Sequence, residues 1–193
     1  MKASTYLQIA YLISQESKCC SWKVGAVIEK DGRIISTGYN GSPSGGTNCC
    51  EHASENGWLK NKPSPVIVAG HKEGTTSFGR ADNFVLAKEH RAAHSAWSAN
   101  NEIHAELNAI LFAARKGNSI EGATLYTTLS PCPDCTKAIT QSGIKKVVYA
   151  ELYDRSPENW ADILKQAGIE VIQYSRNNLR SLNWEQIRNF CGE

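Results

Sequence analysis

The chain has 193 residues, with 21 Lys and Arg against 19 Asp and Glu, for a formal net charge of +2. That length can bury a full core in one decorated domain, and so mild a charge argues against a polynucleotide-binding surface, favouring a small anionic substrate. No apolar run reaches the length of a membrane span, the first residues lack the charged start and cleavage site of a secretory leader, and the seven cysteines read as reduced thiols or metal ligands; a cytoplasmic location is expected.

Thr5 and Gln8 have capping-box spacing and predict a first helix through Leu7, Ala10, Tyr11 and Ile13. Val24 to Ile28 and Ile34 to Tyr39 are strand-like, and Asp31-Gly32 between them is a strong hairpin signal. The stretch from Gly41 to Asn101 is too long for a structureless loop in a compact domain, so it needs anchors of its own. Cys49, Cys50, His52, His71, His90 and His94 are the candidates, with Cys19 and Cys20 shortly before the first strand. Trp58 and Trp97 read as packing anchors, and no role is assigned to the cations Lys88, Arg91 and Arg115.

Next comes His104-Ala105-Glu106, followed by Leu107, Ile110, Leu111 and Ala114 at helical intervals, so that His104 and Glu106 open a helix. Phe112 stands among these apolar positions and reads equally as core, subunit contact or pocket wall. A strand near Ala123 to Thr128 leads to Pro131-Cys132-Pro133-Asp134-Cys135, where Cys132 reads as an N-cap, Pro133 as the first helical residue and Cys135 as one turn on. A strand at Lys146 to Ala150, a helix from Ser156-Pro157 to Gly168 and a strand at Glu170 to Tyr174 complete the alternation. The pattern predicts an α/β fold, a sheet with helices on both faces, and ligands bind such sheets beyond strand carboxyl ends, where Thr128 to Pro131 lies.

His104, Cys132 and Cys135 are good zinc ligands, and Glu106 is a carboxylate beside them that need not bind metal. Three ligands and a water make a catalytic zinc site, whereas a structural site is closed by four. The competing reading is a structural zinc clip with Glu106 as an exposed first-turn acid, stabilised by the helix dipole. A structural site, however, has no use for a proton shuttle next to it.

The split H-x-E and P-C-x-x-C pattern is the signature of zinc-dependent nucleobase deaminases. Together with Val24-Gly25-Ala26-Val27-Ile28 and Gly38-Tyr39-Asn40-Gly41-Ser42-Pro43, in this order, it resembles the deoxycytidylate deaminases of the cytidine deaminase superfamily, phage type. The resemblance implies a three-layer α/β/α fold with a central mixed five-stranded sheet, one deaminase domain over 1–193 and an insertion at about 41–101. It further implies hydrolysis of dCMP to dUMP and ammonia for thymidylate synthesis, with Glu106 as the proton-transferring catalytic residue and His104, Cys132 and Cys135 on the catalytic zinc. Polynucleotide deamination and a non-catalytic zinc-stabilised binding module stand as the alternatives.

Asn40, Ala105 and Tyr153 form the expected substrate set. Asn40 matches the asparagine that bonds the sugar hydroxyl in related deaminases, its other reading being a left-handed turn residue; Tyr153 would pack on base or sugar, or in the core. Gly38, Tyr39, Asn40 and Gly41 are implied as a regulatory nucleotide site, with dCTP and Mg2+ activating and dTTP inhibiting a homo-oligomer, a hexamer. A second, structural Zn2+ is implied in the insertion on Cys19, Cys49, His94 and Glu102, the last two residues before His104 and so expected to brace the catalytic helix. Neither a membrane nor a nucleic-acid polymer is an expected partner, and a phage-encoded chain would act in the host cytoplasm.

Overall fold

The computed structural model describes residues 1–61 and 84–174. In chain order these form α1 (Ala3–Ser14), β1 (Gly25–Lys30), β2 (Arg33–Tyr39), α2 (Cys49–Glu55), β3 (Leu59–Asn61), β4 (Phe84–Leu86), a 3₁₀ turn (Lys88–His90), α3 (Arg91–Asn101), α4 (Ala105–Arg115), β5 (Thr124–Leu129), α5 (Pro133–Gln141), β6 (Lys146–Glu151), α6 (Asp162–Gln166) and β7 (Glu170–Gln173). The described residues form two compact units: 1–17, 24–40 and 104–174 in one, 18–23, 41–61 and 84–103 in the other.

The first unit is built on a five-stranded sheet of order β2-β1-β5-β6-β7. β2, β1 and β5 pair antiparallel, while β5, β6 and β7 pair parallel, so the sheet is mixed. Side chains alternate across a strand, and both faces of its centre are apolar here. Val27, Tyr126, Val148 and Ala150 point to the face covered by α1 through Tyr6, Leu7 and Ala10. Ala26, Ile28, Leu125, Val147 and Tyr149 point to the other, where Ala105, Ala109 and Ala113 of α4, Ile139 of α5 and Leu164 of α6 meet them. The expected three-layer arrangement is therefore present. At the β1–β2 hairpin Asp31 (φ 53°) and Gly32 (φ 79°) both have positive φ, as a two-residue turn matched to strand twist requires.

Several local expectations are corrected. α1 begins at Ala3 with Lys2 as its N-cap and no side-chain cap, so Thr5 lies inside the helix and the Thr5/Gln8 spacing caps nothing. Residues 154–161 make successive turns, and regular helix begins only at Asp162, well after Ser156-Pro157. The helix expected after His104 and Glu106 is present as α4; its buried face is Ala105, Glu106, Ala109 and Ala113, with Ile110 partly buried against the core and Leu111 and Phe112 exposed. The reason is distance: a Cβ on Gly38 of β2 would run into the Ala105 carbonyl oxygen and the Ala109 nitrogen. A helix lying that close needs small residues underneath, so its larger apolar residues face outward.

The second unit is pinned at its ends by reciprocal bonds, Gly41 N–H to the Ile103 carbonyl at 3.1 Å and Ile103 N–H to the Gly41 carbonyl at 2.8 Å. The Glu51 carboxylate accepts the Asn48 N–H at 3.1 Å, a capping interaction that starts α2 at Cys49. β3 and β4 form a small antiparallel ladder centred on Lys60 and Val85. His52 stacks on Trp97 at 4.5 Å between ring centroids and meets Trp58 edge-on at 5.0 Å. His90 stacks with Trp58 at 6.3 Å, so these two imidazoles and both tryptophans pack with one another. His71 lies outside the described residues.

Candidate metal and active site

Two helix starts position the first donor set. His104 is the N-cap of α4 and Cys132 the N-cap of α5, with Pro133 directly after it as the first helical residue. Proline fits there because its missing donor is one that a helix end leaves unpaired, and its φ is preset. The Cys135 N–H reaches back to Cys132 Sγ at 3.5 Å. His104 Nδ1 lies 3.2 Å from Cys132 Sγ and 3.5 Å from Cys135 Sγ. Zinc bonds of about 2.0 to 2.3 Å at tetrahedral angles hold ligands about 3.3 to 3.8 Å apart, so the set fits zinc with a fourth direction left over.

The Glu106 carboxylate lies against this set without belonging to it. Its residue is only 4% exposed, and Oε2 is 3.6 Å from Cys135 Sγ, which donates to it. Burial raises the Glu106 pKa above the ordinary carboxylate value, the backbone bond and the His104 charge opposing. The exposed first-turn acid required by a structural clip is not what the fold contains. The Cys135 thiol pulls Cys132 down to about 4 against the effect of burial, with His104 on the same side. Cys135 is raised in turn by its bond to Cys132 and by burial.

Asn40 is buried and tied to the backbone of residue 24. Its Oδ1 accepts the Val24 N–H at 2.8 Å, and its own N–H bonds the Val24 carbonyl at 3.2 Å. Among the described non-glycine residues only Asp31 has positive φ, so Asn40 is not a left-handed turn residue. Ala105, the first residue of α4, is fully buried; Gly38 is buried, Tyr39 is exposed and Gly41 is half-buried. Tyr153 is half-buried, and its N–H donates to Ser130 Oγ at 2.9 Å. Ser130, missed in the sequence, is buried just before Pro131-Cys132 and also lies 3.3 Å from Ser156 Oγ. It thereby fastens the Tyr153 loop to the loop that carries Cys132. Its position between strand end and P-C-x-x-C was the available signal.

The second donor set lies wholly within the other unit and joins Cys19, Cys49, His94 and Glu102. Cys49 Sγ is 3.1 Å from His94 Nε2 and 3.7 Å from Cys19 Sγ, and Cys19 Sγ is 3.7 Å from both His94 Nε2 and Glu102 Oε2. These separations again match a tetrahedral zinc shell. Glu102 Oε1 is buried without a hydrogen-bond partner, a charge that a cation would satisfy. Bonding to Cys49 and burial raise the Cys19 pKa; Cys49 is lowered by Cys19 but raised overall by Cys20 and burial. A cation held between them would oppose that rise and favour the thiolates. Cys20 Sγ, a candidate anchor outside the four-residue set, is 3.6 Å from Cys49 Sγ.

The comparisons agree with this geometry. Residues 1–151 match the cytidine and deoxycytidylate deaminase zinc-binding region. The deoxycytidylate deaminases of Enterobacteria phages T4 and T2 are 72% and 70% identical to this chain over all 193 residues, covering both partners completely. A dCMP deaminase of cyanophage S-TIM5, solved with dCMP and dUMP, is 34% identical with a TM-score of 0.62, covering 90% of this chain and 99% of its own. The chain therefore belongs to the cytidine and deoxycytidylate deaminase family of zinc-dependent deaminases, with phage enzymes among its near relatives.

Proposed function

We propose that this chain hydrolyses dCMP to dUMP and ammonia, supplying dUMP for thymidylate synthesis, in the cytoplasm of the host. The observation that carries the reading is the buried Glu106 carboxylate set against a three-donor His104, Cys132, Cys135 group. Zinc in that group would lower the pKa of a water toward neutrality and so supply a nucleophile at physiological pH. Glu106 takes the proton released by the attacking water and delivers it to the pyrimidine ring nitrogen. Once the oxygen has bonded to C4, Glu106 takes the remaining proton of that new hydroxyl and passes it to the amine, so that the C4 carbonyl forms as the C4–N bond breaks and ammonia leaves. Its raised pKa suits both halves of that exchange.

Asn40 and Ala105 flank the substrate sugar and base, and Tyr153 packs on the nucleoside, its loop held by Ser130. The second set, Cys19, Cys49, His94 and Glu102, binds a structural zinc that anchors the insertion at about 41–101 of a single deaminase domain. Gly38, Tyr39, Asn40 and Gly41 form the regulatory nucleotide site, activated by dCTP with Mg2+ and inhibited by dTTP. The buried Gly38 also has a packing reason to lack a side chain, so the exposed Tyr39 is the sharper probe of that role. The chain works as a homo-oligomer, a hexamer, for which exposed Leu111 and Phe112 on α4 are candidate contacts.

Ammonia release from dCMP, CMP, deoxycytidine and single-stranded oligonucleotide, with and without dCTP plus Mg2+, tests the assignment, with Glu106→Ala as blank. Turnover of dCMP that rises with dCTP and vanishes in the variant supports it. Activity confined to the oligonucleotide would establish a polynucleotide deaminase instead, and no activity with any substrate would favour a binding module.

A further inference from the structure

The second donor set carries a surplus sulfur. Cys20 Sγ lies 3.6 Å from Cys49 Sγ, at van der Waals distance, and the Cys20 N–H donates to that same Cys49 Sγ at 3.4 Å. Tetrahedral zinc is already filled by Cys19, Cys49, His94 and Glu102, so Cys20 is not needed as a ligand. Exposure separates the three sulfurs: Cys19 and Cys49 are buried, whereas Cys20 is half-exposed. A solvent-borne oxidant therefore meets Cys20 first, with a ligand sulfur directly behind it.

We propose that Cys20 and Cys49 are an oxidisable pair, a modification site at which a hydroperoxide converts one metal ligand into half of a disulfide. Cys20 sulfur attacks the peroxide and cleaves its O–O bond, giving a sulfenic acid and one water. Cys49 sulfur then displaces the sulfenic oxygen, which leaves as a second water after taking up a proton. In total the two sulfurs lose two electrons, Cys49 gives up its bond to any metal it holds, and hydrogen peroxide is reduced to two waters as an S–S bond forms. One of the protons taken up comes from the Cys20 thiol and the other from Cys49 or, where a metal kept it a thiolate, from solvent. The buried Glu102 carboxylate, His94 and Cys19 are left as a three-donor remnant. A dithiol reductant reverses the step, in keeping with the transient disulfides found in reducing compartments. The loss of metal rests on the second-zinc reading above, whereas the pairing of the sulfurs does not.

The test treats zinc-loaded full-length protein with hydrogen peroxide, following zinc release with a chromogenic chelator and locating the disulfide by peptide mapping without reduction. A Cys20–Cys49 linkage is expected, with loss of one of the two zinc ions and recovery on adding dithiothreitol and zinc. Cys20→Ser should keep both zinc ions but release the labile one about tenfold more slowly or less. Linkage of Cys19 to Cys49, absence of any linkage, or an unchanged release rate in Cys20→Ser would overturn the proposal. The linkage forming in protein that holds one zinc at the outset would uphold the pair and remove the second metal. Two zinc ions with no linkage would uphold the metal and remove the pair.

Discussion

The chain contains two histidine–cysteine donor sets of nearly the same size and opposite finish. His104, Cys132 and Cys135 offer three donors, while Cys19, Cys49, His94 and Glu102 offer four. Each has a glutamate at hand, inside the second set and beside the first, and that placement separates them. Glu102 presents an oxygen to the Cys19 sulfur from within its set, leaving its other oxygen buried and unpartnered. Glu106 is buried beside its set, with a raised pKa, as a proton carrier would be. An acid inside a four-donor shell closes it against water; an acid next to a three-donor shell leaves a direction open and supplies a base.

The harshest test removes the first set. Cys132→Ala should abolish deamination and lower zinc content by one ion per chain, measured by metal analysis beside an ammonia assay. Glu106→Gln should reduce kcat by about 10² to 10⁴ with zinc content unchanged, as expected for a proton-transfer residue that is not a ligand. Zinc loss in that variant would make Glu106 a donor and erase the distinction.

Cys49→Ala probes the other side of the comparison. A metal present at a thousand times its dissociation constant contributes about 4 kcal/mol, which for a chain of this length corresponds to roughly 8 to 16 °C in Tm. We expect a loss of that order by calorimetry together with one zinc per chain, while the zinc remaining on the first set stays in place. An unchanged melting temperature would show that the four-donor set holds no structural metal.

A third prediction concerns how closely α4 approaches the sheet. Gly38→Ala places a Cβ against the Ala105 carbonyl and the Ala109 nitrogen, and overpacking of this kind costs about 1 to 3 kcal/mol. Because α4 carries His104 and Glu106 at its start, turnover should fall with stability. The pH profile is gentler. Burial raises the Glu106 pKa, so its carboxylate is protonated, and lost as a base, at a higher pH than an exposed glutamate. The acid limb of kcat should therefore lie above the ordinary carboxylate range, and a limb at the ordinary value would mean that Glu106 is solvated in the working enzyme. The smallest effect belongs to Ser130→Ala, which removes the acceptor of the Tyr153 N–H. About 1 kcal/mol, or roughly fivefold in KM for dCMP, is expected with zinc retained.

Much of the first set was legible because its spacing has a local cause. A histidine and a cysteine that each precede a helix, with proline next to the cysteine, place their side chains over helix ends by backbone geometry alone. The Asp31-Gly32 turn and the period-2 strands are local in the same sense. On α4 the periodicity marked the helix but not its buried face, which is Ala105, Glu106, Ala109 and Ala113 with Leu111 and Phe112 exposed. Capping chemistry failed on α1, which begins before the residues that spelled a cap. In both cases the outcome depends on what lies opposite, and a one-dimensional pattern does not contain that information.

By itself the sequence determined which residue types stand at the starts of α4 and α5, and hence that the chemistry is that of zinc and a neighbouring acid. Tertiary structure alone decided which of the other thiols and imidazoles converge. Cys49 and Cys50 are adjacent, yet one is buried against His94 and the other is half-exposed; His52 and His90 are taken up by stacking on tryptophans. Tertiary structure likewise buried Glu106, and with it set the raised pKa that a proton carrier needs. The physical reason is the same throughout: ligand type is a property of a residue, whereas convergence and desolvation are properties of everything packed around it.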